Sequence, residues 1–358
     1  MENINFHSCL KVDNKIWFIS VDGYLMNFDI IKYQSEIIAP YNLSDLKFKQ
    51  VIDNLVSIND KIYFVEQDGS KLYEYDLITN YCNYYLIPKT EFINWGCFSG
   101  IYLLEENIYL FARVAGTVFC FNTNNKKFTC IRKEISTQVI VTNSYRIKNK
   151  FYLYGEKIVC FNTDDNSFTE SCCFGQKDVY WISIYQDTIL FLTRNRIESF
   201  GHNGKTKKII YEEEGLSDKI IMFFATKNKI FMLPNQSKDI LVLDKGTNGL
   251  LYTTSPADLY YVENGWAKYW GYTESDRYVW CANRVSNYVV CLDKENEEIK
   301  WIKVKKPDLR EEIPYLELSQ KQFFNENKVS IEQFLLINRN AMQYRKSLYG
   351  KRIWKTLR

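Results

Sequence analysis

Seven segments of the chain repeat one pattern at an interval of about 44 residues, and this periodicity limits the fold more than any other feature. Each segment opens on a turn residue, often with Lys next, and runs through a short apolar stretch. It then crosses a variable gap and closes a second apolar-aromatic stretch on a polar turn. The segments are NKIWFISVDGYLMNFD from Asn14, DKIYFVEQDGSKLYEYD from Asp60, ENIYLFARVAGTVFCFN from Glu106, NKFYLYGEKIVCFN from Asn149, DTILFLTRNRIESFG from Asp187, NKIFMLPNQSKDILVLD from Asn228 and DRYVWCANRVSNYVVCLD from Asp276. Their closing residues are Asp29, Asp76, Asn122, Asn162, Gly201, Asp244 and Asp293, at spacings of 47, 46, 40, 39, 43 and 49. Cys120, Cys160 and Cys291 take the same place in three of them, which predicts a repeated packing position.

A further apolar run precedes each segment (NLVSI, SGIYLLE and IIMFFATK among them) and another follows it (YCNYYLIP, KFTCIRK, EIKWIKV), giving four strands per unit. Runs of four to six residues bounded by Asn, Asp, Gly and Lys are too short for helices and suit strands. Asp22-Gly23 and Asp68-Gly69 suit tight hairpins between the second and third strands. The Asp or Asn closing the third strand is expected to bind backbone amides two residues on and so start the next turn. One such carboxylate per unit does not make a calcium site.

Four-stranded units of this length resemble β-propeller blades, with the likeness nearest to Kelch-like and pyrroloquinoline-quinone-type repeats, over roughly residues 4–306. The resemblance implies an all-β, seven-bladed β-propeller; six blades with one degenerate unit is the alternative. It carries over no catalytic residue. The first unit is expected to start on its own inner strand near Phe6 and the last to end on its own outer strand near Trp301, which closes the ring without a shared strand; the alternative is a terminal strand that completes the opposite blade, with other blade boundaries but the same count.

Composition supports strands, since 46% of residues are hydrophobic and 27 Tyr and 23 Phe favour pleated surfaces. The net charge of +3 gives no field that calls for nucleic acid, and no apolar stretch is long enough to span a membrane. MENINFHSCLK has neither a basic nor an apolar leader region, and ten cysteines without a CxxC pair point to reduced thiols. The expectation is a monomeric, cytoplasmic protein.

After residue 306 the pattern changes. Ser330 with Gln333 makes a capping box, and Ile331, Phe334, Leu335, Asn338, Met342 and Leu348 fall at helical spacing, which predicts a helix over 331–348. From Arg339 onward there are seven basic residues and no acidic one, Arg345, Lys346 and Arg352 among them. Residues 307–358 therefore read as a basic helical tail, docking its apolar face either on residues 1–306 or on a partner, with Phe334, Leu335, Met342, Arg345, Lys346 and Arg352 as the docking residues.

Two histidines, His7 and His202, leave no room for a multi-histidine metal site. Neither GxxxxGK[ST] nor GxGxxG occurs, so no cofactor is expected. The aromatic segment around Trp266, Tyr269, Trp270 and Tyr272 is the one local concentration, readable as blade core or as a flat binding face for a glycan or a peptide side chain. His7, on the expected inner strand of the first unit, is the other channel candidate. Ser8, Ser57, Ser99, Asn143 and Ser183 on the expected inner strands outnumber acids. That balance favours a protein- or ligand-binding scaffold over the alternative, a propeller-type hydrolase or lyase with carboxylates in the channel.

Overall fold

The computed structural model describes residues 8–20, 23–38, 54–66, 69–88, 98–113, 116–132, 141–155, 157–170, 178–186, 188–200, 207–235, 237, 239–259, 269–283 and 286–304. They form seven antiparallel sheets, each of four strands consecutive in the chain, which decides between seven blades and six. The blades span residues 10–37, 56–86, 98–132, 141–170, 181–212, 220–253 and 269–303, and their strands are called a to d in chain order. The a strands of neighbouring blades lie against one another around the ring, blade 1 against blade 7 included. Blade 1 keeps its own strand a, Leu10–Val12, and blade 7 its own strand d, Glu298–Lys303, so no strand is shared at the closure. The one helix among the described residues is a single turn, Leu216–Lys219, between blades 5 and 6, and no helix there is long and apolar enough to cross a membrane. The tail lies outside the described residues.

Burial follows strand order. Strands b and c are sandwiched between neighbouring blades and are buried almost throughout, as in Lys15–Ile19 and Tyr288–Asp293, whereas strand d alternates between partial and full exposure, as in Lys127–Arg132. Apolar side chains from both faces of each sheet thus fill the seams. Phe64 and Tyr75 pack with Trp17 and Leu25 between blades 1 and 2, and Phe119 and Phe121 with Tyr63 and Leu72 between blades 2 and 3. The closure seam works the same way: Cys9, Ile16, Phe18 and Phe28 of blade 1 meet Trp280, Val289, Cys291 and Val304 at blade 7. Apolar contact between blades therefore closes the ring.

The repeated cysteine position is real and wider than the cysteines. Cross-strand register places Asn27, Glu74, Cys120, Cys160, Ser199, Val242 and Cys291 at one site of strand c, opposite Trp17, Tyr63, Tyr109, Tyr152, Leu190, Phe231 and Trp280 of strand b. The turns repeat as well. Asp29 Oδ1 accepts the amides of Ile31 and Lys32 at 2.9 Å each, and Asp76, Asn122, Asp244 and Asp293 hold the same two amides of their own turns. In the six blades whose c–d turn is described, the next amide inward ties it to the a–b turn of its blade, as in Ile30 to Asn14 and Leu77 to Asp60. Both kinds of turn therefore share one face of the disc. Gly23 and Gly69 adopt φ of 89° and 69° on the opposite side, a conformation that explains glycine at the b–c tips.

Candidate functional site

Side chains of blades 4, 5, 6 and 7 meet at the centre of the ring. Blades 4 and 7 stand three apart in a ring of seven, yet the Tyr145 hydroxyl donates to Glu274 Oε2 at 3.2 Å, so this bond crosses the middle. Lys294 Nζ reaches Glu274 Oε1 at 3.3 Å, and the Tyr272 ring lies 5.3 Å from Trp181 of blade 5 and 5.4 Å from Phe224 of blade 6. Burial raises the Glu274 carboxyl against the opposing pull of Lys294 and Tyr145, although 20% of its side chain still meets solvent, as expected beside a channel. The same burial pushes the Tyr145 and Tyr272 phenols well above their ordinary range. Lys245 takes the place in blade 6 that Lys294 takes in blade 7, lying 4.7 Å from the Tyr185 ring centroid while burial lowers its pKa. This centre offers the Glu274 carboxyl, a phenol donor and ammonium groups. Among the described residues, no group of three or more His, Cys, Asp or Glu could hold a metal.

The inner-strand serines bond to backbone, Ser8 and Ser99 within their own blades and Ser183 across to the next. Ser8 Oγ accepts the Ile19 amide at 3.0 Å, Ser99 Oγ donates to the Phe111 carbonyl, and Ser183 Oγ accepts the Ala225 amide of the next blade. Tyr269, expected as a binding aromatic, is 1% exposed and sits in the core shared by blades 5, 6 and 7, so its ring presents no face to an external ligand. Tyr272 joins the central ring cluster just described. Trp270 lies on strand a of blade 7, Tyr269–Glu274. Trp266, His7 and the tail residues lie outside the described residues.

The turn face of blades 1 and 2 has a different chemistry. Two residues past the closing Asp or Asn, the c–d turns carry Ile31, Ile78, Asn124, Asp164, Gly246 and Glu295 in blades 1, 2, 3, 4, 6 and 7. Only the two neighbouring blades place a large apolar side chain there, 66% and 78% exposed, on amides already fixed by Asp29 and Asp76. Four residues past the closing residue stand Tyr33, Asn80, Lys126, Asn166, Asn248 and Glu297, all at φ between 54° and 58°. Asn accepts this left-handed conformation readily, whereas the other types carry strain. Lys126 and Glu297 use the position to reach the preceding blade, at Glu74 and at the Thr226–Asn228 turn. Tyr33 instead sets its ring edge 6.1 Å from Phe28 and leaves 65% of its surface exposed. Aligning the seven turns on their closing residue is the sequence signal that singles out these three side chains. Apolar exposure continues on strand d of blade 2, at Tyr84 and Leu86, and recurs on blade 6 at Leu250, Leu251 and Tyr252.

No protein-family model matches the chain, and no curated protein does. Solved structures do. One is PorZ, a surface component of the type-IX secretion system of Porphyromonas gingivalis, with TM-score 0.56 and 11% identity over 86% of this chain and 39% of that one. Another is the extracellular domain of a putative one-component system from B. thetaiotaomicron, with TM-score 0.57 and 13% identity over 81% and 38%. The WD40 domain of Neurospora crassa Pan2 follows at TM-score 0.50 and 10% identity over 85% and 90%. The chain spans about two fifths of the length of the first two. At these identities the likeness concerns the β-propeller fold.

Proposed function

We propose that the chain is a non-enzymatic recognition module that engages a partner protein on the turn face of blades 1 and 2. The observation that carries this reading is the trio Ile31, Tyr33 and Ile78, exposed on turns whose backbone is held by Asp29 and Asp76. Apolar side chains on a preorganised backbone lose little entropy on binding, which is what a recognition surface needs. The centre supports the same reading, because Tyr145, Lys294, Tyr272 and Trp181 already gather around the Glu274 carboxyl. Cys9, Cys281 and Cys291 are buried and take part in no disulfide, and a reducing, cytoplasmic setting is proposed on that ground.

The second reading, a hydrolase or lyase acting on a carbohydrate or lactone, rests on Glu274, whose raised carboxyl beside a phenol is the kind of group that transfers protons. Trp266, Trp270 and His7 stay as the candidates for such a small ligand. A photo-reactive amino acid placed at Ile78 or at Glu274 of the full chain separates the two in the native cell. The recognition reading predicts a discrete protein adduct from position 78 and none from position 274. An adduct or a trapped glycan only at position 274 overturns it.

A further inference from the structure

Strand d of each blade pairs with strand c along one edge and leaves the other open, and an open edge recruits a further strand unless charge guards it. Five of the seven carry charged residues: Glu36 in blade 1, Lys127 and Arg132 in blade 3, Glu170 in blade 4, Lys207, Lys208 and Glu212 in blade 5, and Glu298, Lys300 and Lys303 in blade 7. Strand d of blade 2, Cys82–Leu86, is uncharged, but Lys71 of the neighbouring strand lies 5.0 Å from the Tyr84 ring centroid. Blade 6 has no such guard. No charged residue falls between Lys245 and Asp258, and strand d, Leu250–Thr253, exposes Leu250, Leu251 and Tyr252 in succession, the last two at 60% and 68%. Register fixes which of its backbone groups are open. The Asp244 amide donates to the Gly249 carbonyl at 2.9 Å, and bonded pairs alternate along an antiparallel ladder, so Leu251 and Thr253 bond to Val242 and Ile240 of strand c. The N–H and C=O groups of Leu250 and Tyr252 then point away from strand c.

We propose that this edge pairs with the same edge of a second copy of the chain, joining two propellers about a two-fold axis at Leu251. In that register Leu250 faces Tyr252 of the other copy and exchanges both backbone hydrogen bonds with it, and the reciprocal pair does the same. Leu251 meets its own counterpart at the axis, in a non-hydrogen-bonded pair where side chains come closest. The contact is isologous, so it consumes both edges and stops at two copies. The flanking blades favour a copy of this chain over an unrelated strand. Strand d of blade 5 starts at the turn face with Lys207 and Lys208 and runs towards Glu212 and Glu214, whereas that of blade 7 starts with Glu298 and runs towards Lys300 and Lys303. The two-fold sets blade 5 beside blade 5 and blade 7 beside blade 7 with strand directions reversed, so basic ends face acidic ends on both flanks. Lys207, Glu212 and Lys303 already pair with Glu198, Arg196 and Asp258, which leaves the exposed Lys208, Glu214, Glu298 and Lys300 for this attraction. The rims curve apart there, so these charges steer the encounter more than they bond. A few hydrogen bonds and one short apolar strand from each copy make a contact below the roughly 1,200 Å² of standard interfaces, and the dimer is reversible at micromolar concentration. It leaves the turn faces of blades 1 and 2 uncovered and pointing in opposite directions. A monomer, the expectation from sequence, would leave the apolar edge in water.

The test is sedimentation velocity of the full chain from low to high micromolar protein, with disulfide trapping by oxidised glutathione. The expected result is a reversible monomer–dimer equilibrium. Leu251→Cys should cross-link to itself across the axis, whereas Leu250→Cys, which faces Tyr252, should not exceed wild type, whose exposed Cys130 sets the background. Leu251→Lys puts like charges directly opposite each other and should weaken the dimer at least tenfold. The substituted residue is already exposed, so its fold is kept, read as an unchanged urea midpoint. Tyr84→Lys on blade 2 should leave the dimer as it is. A monomer throughout, a dimer that Leu251→Lys leaves intact, or one broken by Tyr84→Lys would overturn the proposal.

Discussion

Replacing Glu74 should destabilise the ring more than any other single polar substitution in blade 2, for reasons that can be followed bond by bond. Its side chain is 2% exposed at the strand-c position that other blades fill with Cys, Asn, Ser or Val. It accepts from the Tyr63 hydroxyl at 2.6 Å, from Lys61 Nζ at 2.8 Å, from the Tyr85 hydroxyl at 3.3 Å and from Lys126 Nζ of blade 3. The ammonium of Lys126 also lies 5.6 Å and 5.8 Å from the Tyr63 and Tyr85 ring centroids, so one carboxylate ties two blades. Glu74→Ala leaves the Tyr63 O–H, on a residue 1% exposed, without its acceptor, although Lys126 Nζ still donates to that oxygen at 3.2 Å, while both lysines, about 30% exposed, regain water. A buried hydroxyl left without an acceptor costs about 1–3 kcal/mol, and the broken ion pair adds less than the roughly 3–5 kcal/mol of a fully buried one because both lysines reach water, so the total should fall near 4 kcal/mol. Glu74→Gln keeps an acceptor and should lose about half as much. Urea unfolding at pH 7, with a double-mutant cycle against Lys126→Met, measures both. Burial raises the Glu74 carboxyl, but the bonds from Lys126, Lys61 and Tyr63 outweigh it and leave the group lowered. A lowered carboxyl gives stability that is present above its unfolded value, about 4.3, and is lost as pH falls through the folded value. The wild-type advantage over Glu74→Gln should therefore vanish in acid. A loss under about 1 kcal/mol for Glu74→Ala, or an advantage independent of pH, would refute the reasoning.

Gly100→Ala would place a Cβ 2.4 Å from Ser144 Oγ and 2.8 Å from the Tyr102 ring, where strands a of blades 3 and 4 meet. It should cost about 1–3 kcal/mol in urea unfolding, with much of the loss restored by adding Ser144→Ala. Phe121, fully buried between blades 2 and 3, should cost about 3–5 kcal/mol as Phe121→Ala in the same assay. Glu274 has the opposite sign to Glu74: its raised carboxyl favours the folded state when protonated, and that contribution is lost as pH rises from about 4.3 through the folded value. The unfolding midpoint of Glu274→Gln relative to wild type should therefore rise between pH 4 and pH 8, and a difference that falls would contradict the burial argument.

The blade repeat was legible because it is enforced locally. The amides two and three residues past Asp29, Asp76, Asn122, Asp244 and Asp293 need a short acceptor, and that need writes the same letter at the end of each strand c. The cysteine position was legible because three blades carry the same residue opposite Tyr109, Tyr152 and Trp280 of strand b. Glu74 escaped notice because its partners lie 11 to 52 residues away, and Lys126 reaches it only through the left-handed turn of the next blade. Glu274 and Tyr145, 129 residues apart, meet only because the ring closes. Tyr269 misled in the other direction: one stretch of aromatics looks like a surface, but its ring lies in the core shared by blades 5, 6 and 7. Ile31, Tyr33 and Ile78 were present in the alignment of turns, where the exceptions to a polar pattern carry more information than the pattern itself.

The central claim is that recognition happens on the turn face and that the ring's centre is a structural plug. Quantitative affinity capture from the native cell tests it most directly, with three full-length proteins side by side: wild type, Ile31→Asn/Tyr33→Asn/Ile78→Asn, and Glu274→Gln. The account predicts at least one protein captured equally by wild type and Glu274→Gln and reduced tenfold or more by the triple variant. A partner kept by the triple variant and lost with Glu274→Gln would contradict it and move the function to the centre of the ring.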